Sequence, residues 1–232
     1  MKKFKFLLVK KKTIVAILFC ILAVGCAVGA YYAARATASP KPTHTIVIDA
    51  GHGGKDGGAV GKQTGVTESY LNLEYAKTLQ KLCKEYGFKV VMTRSDMNGL
   101  YSESAKNKKK SEMEKRKKII KKSKADLLVS IHMNSFPSSS ARGCQVFFAQ
   151  GNENGKVLAE SVSLVLNKNI EHAKKTAKVG DYFVLNCTSK PAILVECGFL
   201  SNAEEEMLLQ DNEYENKLCY QILCGILQFF KM

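Results

Sequence analysis

The sequence predicts an α/β fold: a single domain on a mostly parallel, twisted sheet with helices on both faces, preceded by an N-terminal transmembrane or signal helix. Three observations carry that expectation. Short β-branched runs alternate with longer amphipathic ones, the pattern of a sheet layered by helices. Three of the apolar runs stop abruptly at a residue that can bind metal or move protons. The first 38 residues are basic and then apolar, unlike everything after them.

The elements follow in order. Residues 1–12 are Lys-rich, and residues 13–34 (TIVAILFCILAVGCAVGAYYAA) carry no charge. That run can span a bilayer. Basic residues in front of it keep the N-terminus cytoplasmic and export the rest. Ala36-Thr37-Ala38 also fits a signal cleavage site, so a retained anchor and a cleaved signal both stay open. We read 1–38 as signal or membrane anchor, 39–43 (from Ser39-Pro40-Lys41-Pro42) as a linker, and 44–232 as the catalytic domain. Residues 45–48 (TIVI) are a buried strand, and 49–65 a Gly-rich loop. A helix over 67–86 places Leu71, Ala76, Leu79, Leu82, Cys83 and Tyr86 at helical spacing and ends at Gly87. Residues 88–93 (FKVVMT) are a strand and 103–124 a basic helix. Residues 126–131 (DLLVSI) and 143–149 (GCQVFFA) are strands, and 155–170 a helix. Residues 192–195 (AILV), after Pro191, are a buried strand, and 203–210 and 213–230 are helices.

Composition narrows the class. At 46% hydrophobic and 24% charged, the chain is globular rather than disordered. The net charge of +14 includes seven bases and no acid in residues 1–38, leaving 28 bases against 21 acids, or +7, on the remainder. A basic domain suits an anionic partner such as a membrane, a wall polymer or nucleic acid. Cys20 and Cys26 lie in the apolar segment; Cys83, Cys144, Cys187, Cys197, Cys219 and Cys224 show no C-x-x-C pair or zinc-finger spacing and read as buried thiols.

The chemistry lies where the strands stop. TIVIDA leads through Gly51 to His52, DLLVSI to His132, and AILV to Glu196. Ligands bind at the carboxyl ends of strands in α/β sheets, so these three side chains can meet in one crevice. A catalytic zinc takes three protein donors and leaves a position open. Glu68, opening the first helix of the domain, is placed to join the two histidines. By itself Glu68 reads as an acid at a helix N-terminus. Glu196, flush against a buried apolar strand, is costly unless paired.

DAGHGGKDGGAVG, Glu68 opening a helix, ADLLVSIHMNS and PAILVECGFLSN together resemble the motifs of the type-3 N-acetylmuramoyl-L-alanine amidases. The resemblance covers about residues 44–230. It implies Zn2+ held by His52, Glu68 and His132, with Glu196 as the catalytic glutamate. It also implies hydrolysis of the amide between the muramic acid lactyl group and L-alanine in peptidoglycan. Arg94 in VMTR is a weaker match. Met133 departs from the family's usual I-H-A-N and is expected to alter packing, not ligation. The compact, membrane-attached form is similar to sporulation-specific germination amidases that contribute to muramic-δ-lactam in spore cortex. That implies an extracytoplasmic site of action, between forespore and mother cell. A vegetative or division amidase of the same chemistry is the alternative.

Rival classes are a cysteine peptidase using Cys197 with His132, an inactive peptidoglycan-binding module, and a nucleic-acid binder. An exported chain without a nucleic-acid motif argues against the last. Residues 106–124, with eleven Lys or Arg, read as a solvated helix or, alternatively, as a contact for anionic wall polymer or membrane. His44 and His172 fall outside the motifs. Asp49 reads equally as support for a metal ligand or as a plain strand end.

Overall fold

The computed structural model describes residues 10–37 and 44–232, so the expected linker 39–43 and Ala38 lie outside the described residues. The chain divides into two units, residues 1–41 and 42–232. The first contains helix α1 (Lys11–Thr37). Its stretch Lys11–Ala30 is long and apolar enough to cross a membrane, and none of it is buried.

The second unit is a layered α/β domain. Its elements run β1 (Thr45–Ala50), α2 (Glu68–Glu85), β2 (Lys89–Met92), α3 (Lys108–Ser123), β3 (Leu127–Asn134), β4 (Gln145–Phe148) and α4 (Glu153–Asn169). Then come β5 (Lys178–Val179), a 3-10 turn (Phe183–Cys187), β6 (Ala192–Phe199), α5 (Ala203–Leu208) and α6 (Asn212–Phe230). The strand order is β2-β1-β3-β6-β4-β5. β2, β1, β3 and β6 are mutually parallel; β4 runs antiparallel to β6, with β5 parallel to β4. The mostly parallel sheet that alternation predicted is therefore present, with β4 and β5 reversed at one edge.

Strand alternation divides the core between the two faces. Ile46, Ile48, Val129, Ile131, Ile193 and Val195 pack with Leu79 of α2, Leu158 and Val162 of α4, and Ile222 of α6. On the other face Val47, Leu128 and Leu194 pack with Ile120 of α3 and with Val184 and Leu185 of the 3-10 turn. α2 starts at Glu68, after Thr67, and Gly87, at φ 83°, takes the left-handed turn that ends it.

Several boundaries differ from expectation, β1 among them, which runs on to Ala50. β3 and β6 continue past residues 131 and 195, with His132 and Glu196 paired in register across them. Pairing with a neighbour carries these strands through residues of low strand preference. The basic helix begins at Lys108, not 103. Asn107 accepts a hydrogen bond from the Lys110 amide at 2.9 Å, and this side-chain cap sets the start. β5 and the 3-10 turn were not expected; both are too short to leave a periodic pattern.

Candidate metal centre

The loop after β1 begins the site. Its backbone is held by two buried guanidinium groups. Arg94 donates to the Ala50 carbonyl at 3.0 Å and, through Nη2, to the Gly51 carbonyl at 2.9 Å and the Ser69 carbonyl at 2.7 Å. Arg116 of α3 donates to the Ala50 carbonyl at 2.7 Å and to the carbonyl of His52. Three consecutive carbonyls thus lose their freedom before His52 presents its ring. His52 sits at φ 59°, in the left-handed region that a non-glycine residue occupies only when its surroundings impose it.

His52, Glu68 and His132 converge, each offering a donor atom within 4.8 Å of the others. Glu68 Oε1 lies 2.8 Å from His132 Nδ1 and 3.2 Å from His52 Nε2. The carboxylate is oriented by the Ala59 amide at 2.9 Å and by Asn72 Nδ2 at 3.2 Å. Burial works to raise its pKa, but hydrogen bonds and charge from His132 and His52 hold it well below the usual carboxylate range. His52 Nδ1 lies 2.9 Å from Asp56 Oδ1 without a directed hydrogen bond. Two glycines make the approach possible. A Cβ on Gly51 would stand 2.2 Å from the His132 ring, and one on Gly58 would stand 2.4 Å from Glu68 Oε2. Two imidazoles and one carboxylate, converging this closely, form a donor set that suits a catalytic zinc.

Glu196 lies beside His132, in register on the neighbouring strand. It is buried, and its Oε2 has no hydrogen-bond partner. Burial pushes its pKa up, the His132 charge opposes this and the Glu68 charge adds to it; the outcome is about 7. Such a carboxyl can both take and return a proton near neutral pH. A cavity of about 120 Å3 is lined by His52 and His132 together with Met113, Tyr182 and Phe183. Tyr182 packs edge-on against Phe147 at a centroid distance of 5.3 Å.

Asp49 belongs to the support of this site. Its carboxylate meets Arg116 Nη1 at 2.5 Å, Thr93 Oγ1 at 2.7 Å and Ser130 Oγ at 2.7 Å. Arg116 Nη2 also meets Glu112 at 2.7 Å. Sequence reasoning missed Arg116 and Glu112 because they lie in a Lys-rich helix. One signal was available: Glu112, Arg116 and Ile120 recur every four residues, on one helical face. Tyr182 was missed too, and no spacing pointed to it. The Met133 side chain is buried in the core on the face away from His132, while its backbone amide donates to Glu68 Oε1 at 3.3 Å. Cys197 is fully buried on that same face, its thiol pushed well above the ordinary range by burial. It cannot serve as a nucleophile with His132.

The family model described as N-acetylmuramoyl-L-alanine amidase matches residues 46–228. The chain is 37% identical to the germination-specific N-acetylmuramoyl-L-alanine amidase of Bacillus subtilis, over 82% of this chain and 81% of that one. Among solved structures it is similar to the CwlD amidase of Clostridioides difficile in complex with the GerS lipoprotein. That match has a TM-score of 0.78 at 33% identity and covers 82% of this chain and 99% of that one. The catalytic domain of CwlV, an N-acetylmuramoyl-L-alanine amidase from Bacillus (Paenibacillus) polymyxa var. colistinus, matches at a TM-score of 0.72 and 32% identity, covering 82% and 99%.

Proposed function

The chain belongs to the N-acetylmuramoyl-L-alanine amidase family, and we propose that it is a zinc-dependent member whose ion is held by His52, Glu68 and His132 and whose catalytic proton is carried by Glu196. The observation that carries this reading is the convergence of three donors with a buried, unpartnered carboxyl in register beside them. When bound, zinc supplies Lewis acidity that acidifies water and polarises the scissile carbonyl. The protein does the rest. Glu196 accepts the proton of the attacking water and returns it to the departing amine of L-alanine. Arg94 and Arg116 fix the backbone that aims His52. Tyr182 and Phe183 narrow the approach and exclude bulk water.

The test has two parts. Mass spectrometry of peptidoglycan digested by the purified chain should show free stem peptides beginning with L-alanine. Glu196→Gln should keep about one zinc per chain while turnover falls by roughly 10²–10⁴, whereas Glu68→Gln should weaken zinc itself. Equal zinc loss in both variants would make Glu196 a fourth ligand and remove the open position.

The biological setting is also a proposal. Similarity to a germination-specific amidase along most of both chains supports a role in spore cortex maturation through muramic-δ-lactam formation. The enzyme would act outside the cytoplasm, between forespore and mother cell, attached to the membrane through residues 1–38. The exposed apolar helix Lys11–Ala30 supports that attachment, since hydrocarbon is the solvent that suits it. Residues 39–43 would serve as the linker to the catalytic domain, 44–232. A lipoprotein partner, as in the Clostridioides difficile complex, is part of the same proposal. Deleting the gene should leave growth intact and deplete the lactam from spores. Normal lactam would instead assign the enzyme to vegetative wall turnover.

A further inference from the structure

α3 has two unlike sides. Inward it buries Glu112, Arg116 and Ile120. Outward it exposes Lys110, Lys115, Lys118, Lys121 and Lys122, followed by Lys124 just past its end. Lys108 pairs with Glu103 and Lys109 with Asp56. Among the described residues none of the other six has a carboxylate within 4.0 Å.

This placement works against the helix. Its first turn holds lysines and no acid, where the helix dipole favours negative charge. Lys117 faces Lys121, and Lys118 faces Lys122, one turn apart, a spacing at which like charges repel by a few tenths of a kcal/mol per pair. The dipole accounts for Lys121 and Lys122 at the C-terminal end but not for the cations in the first turn and the middle. A bound polyanion would offset both costs.

The basic face is continuous with the site. Lys109 and Met113 wall the cavity that holds His52 and His132. Lys117 Nζ stands 6.0 Å above the ring of Phe183, which borders the same cavity. Farther along, one depression is lined by Lys115, Lys117, Lys118, Lys121 and Lys122, with Glu114 the single acid among them. A second is lined by Lys121, Lys124 and Lys190 with Thr188 and Ser189. Lys121 borders both. With 16 residues, α3 extends about 24 Å. A stem peptide of four or five residues reaches only about 13–18 Å, so the face can meet stems beyond the one being cut.

We propose that the outer face of α3, together with Lys190, is a binding track for the free carboxylates of neighbouring stem peptides along a peptidoglycan strand. The inference rests on the amidase reading of the site. A lipid bilayer is the other polyanion available to a basic face. The polymer is favoured because the lysines lead out of the catalytic cavity.

The test uses the full chain in detergent, loaded with zinc, and the variant Lys115→Gln/Lys118→Gln/Lys122→Gln. Glutamine keeps helix propensity and relieves the repulsion, so folding is not at risk. Co-sedimentation with purified sacculi and KM on sacculi should weaken about tenfold at low ionic strength, as expected for losing several exposed ion pairs. The gap should close in 0.5 M salt, where screening is strong. kcat/KM on a single soluble muropeptide should not change. Unchanged sacculus binding and KM overturn the proposal. So does an equal loss on the muropeptide. Loss of binding to phosphatidylglycerol vesicles with sacculus binding intact assigns the face to the membrane and also overturns it. If the wild-type chain cuts neither substrate yet binds sacculi through these lysines, the amidase reading fails and the track stands.

Discussion

The two faces of the sheet use the same strands differently. Under α2, α4 and α6, β1 presents Ile46, Ile48 and Ala50, β3 presents Val129, Ile131 and Met133, and β6 presents Ile193, Val195 and Cys197. Every one is apolar and buried. Under α3 the same strands start apolar, at Val47, Leu128 and Leu194. Two residues later they turn polar, at Asp49, Ser130 and Glu196, with His132 beyond Ser130. One face stabilises the domain by removing hydrocarbon from water. The other places ionisable groups in the interior: Asp49, Glu112 and Arg116 are tolerated because each meets a partner, while Glu196, which has none, is pushed toward its neutral form by burial. Converging donor side chains and an unpartnered carboxyl can stand on the second face because the first holds the sheet together.

The largest expected effect breaks the ion cluster. Arg116→Met leaves Asp49 and Glu112 buried without their cation, so stability should fall by about 3–5 kcal/mol. Zinc affinity should fall too, because the His52 carbonyl loses its donor. Urea unfolding and zinc titration measure the two. A variant as stable as wild type would mean that the cluster is not a unit.

On the opposite face, Leu158→Ala removes a fully buried side chain from the apolar core. It should cost about 2–5 kcal/mol yet leave zinc affinity and kcat of the folded fraction unchanged. If activity per folded molecule drops as well, the faces are not functionally separate. Arg94→Lys has a smaller expected effect. A lysine keeps the charge but cannot reach the three carbonyls of Ala50, Gly51 and Ser69 together. Metal affinity should weaken by roughly 10–100-fold, the scale on which supports of a metal ligand act. Competition with a chelator would reveal it.

The apolar face was legible in the sequence, because β-branched runs and helical spacing report burial directly. The positions of His52, His132 and Glu196 at or near strand ends were legible as well, since an apolar run that stops at a polar residue marks the rim of a sheet. The strands' continuation through His132 and Glu196 was not, because pairing with a neighbour decides it. Nor was the inward turn of Glu112 and Arg116. In a helix this rich in lysine, two buried charges look like two more solvated ones until Asp49 on β1 is found facing them. Glu206 is a third case. It reads as a plain helix acid, yet it accepts hydrogen bonds from the amides of Gln63 and Thr64 and anchors the Gly-rich loop.

The smallest expected effect tests whether the ion cluster also sets acid stability. Burial alone would raise the pKa of Asp49, but Arg116, Ser130 and Thr93 outweigh it and hold the group at about 2. A carboxylate whose folded pKa lies below its unfolded value of 3.8 favours folding once both forms are ionised. Its contribution is therefore fully present above about pH 4 and is lost as pH falls toward 2. The loss between about pH 5 and pH 2.5 should be roughly 1–2 kcal/mol. Other carboxylates titrate in this window, so the informative quantity is the stability gap between wild type and Asp49→Asn. The gap should shrink by that amount as pH falls. A gap that stays constant would mean that the Arg116 contact does not favour ionised Asp49 in the folded state. The polar face would then owe its integrity to hydrogen bonds from Ser130 and Thr93, which an asparagine can also accept.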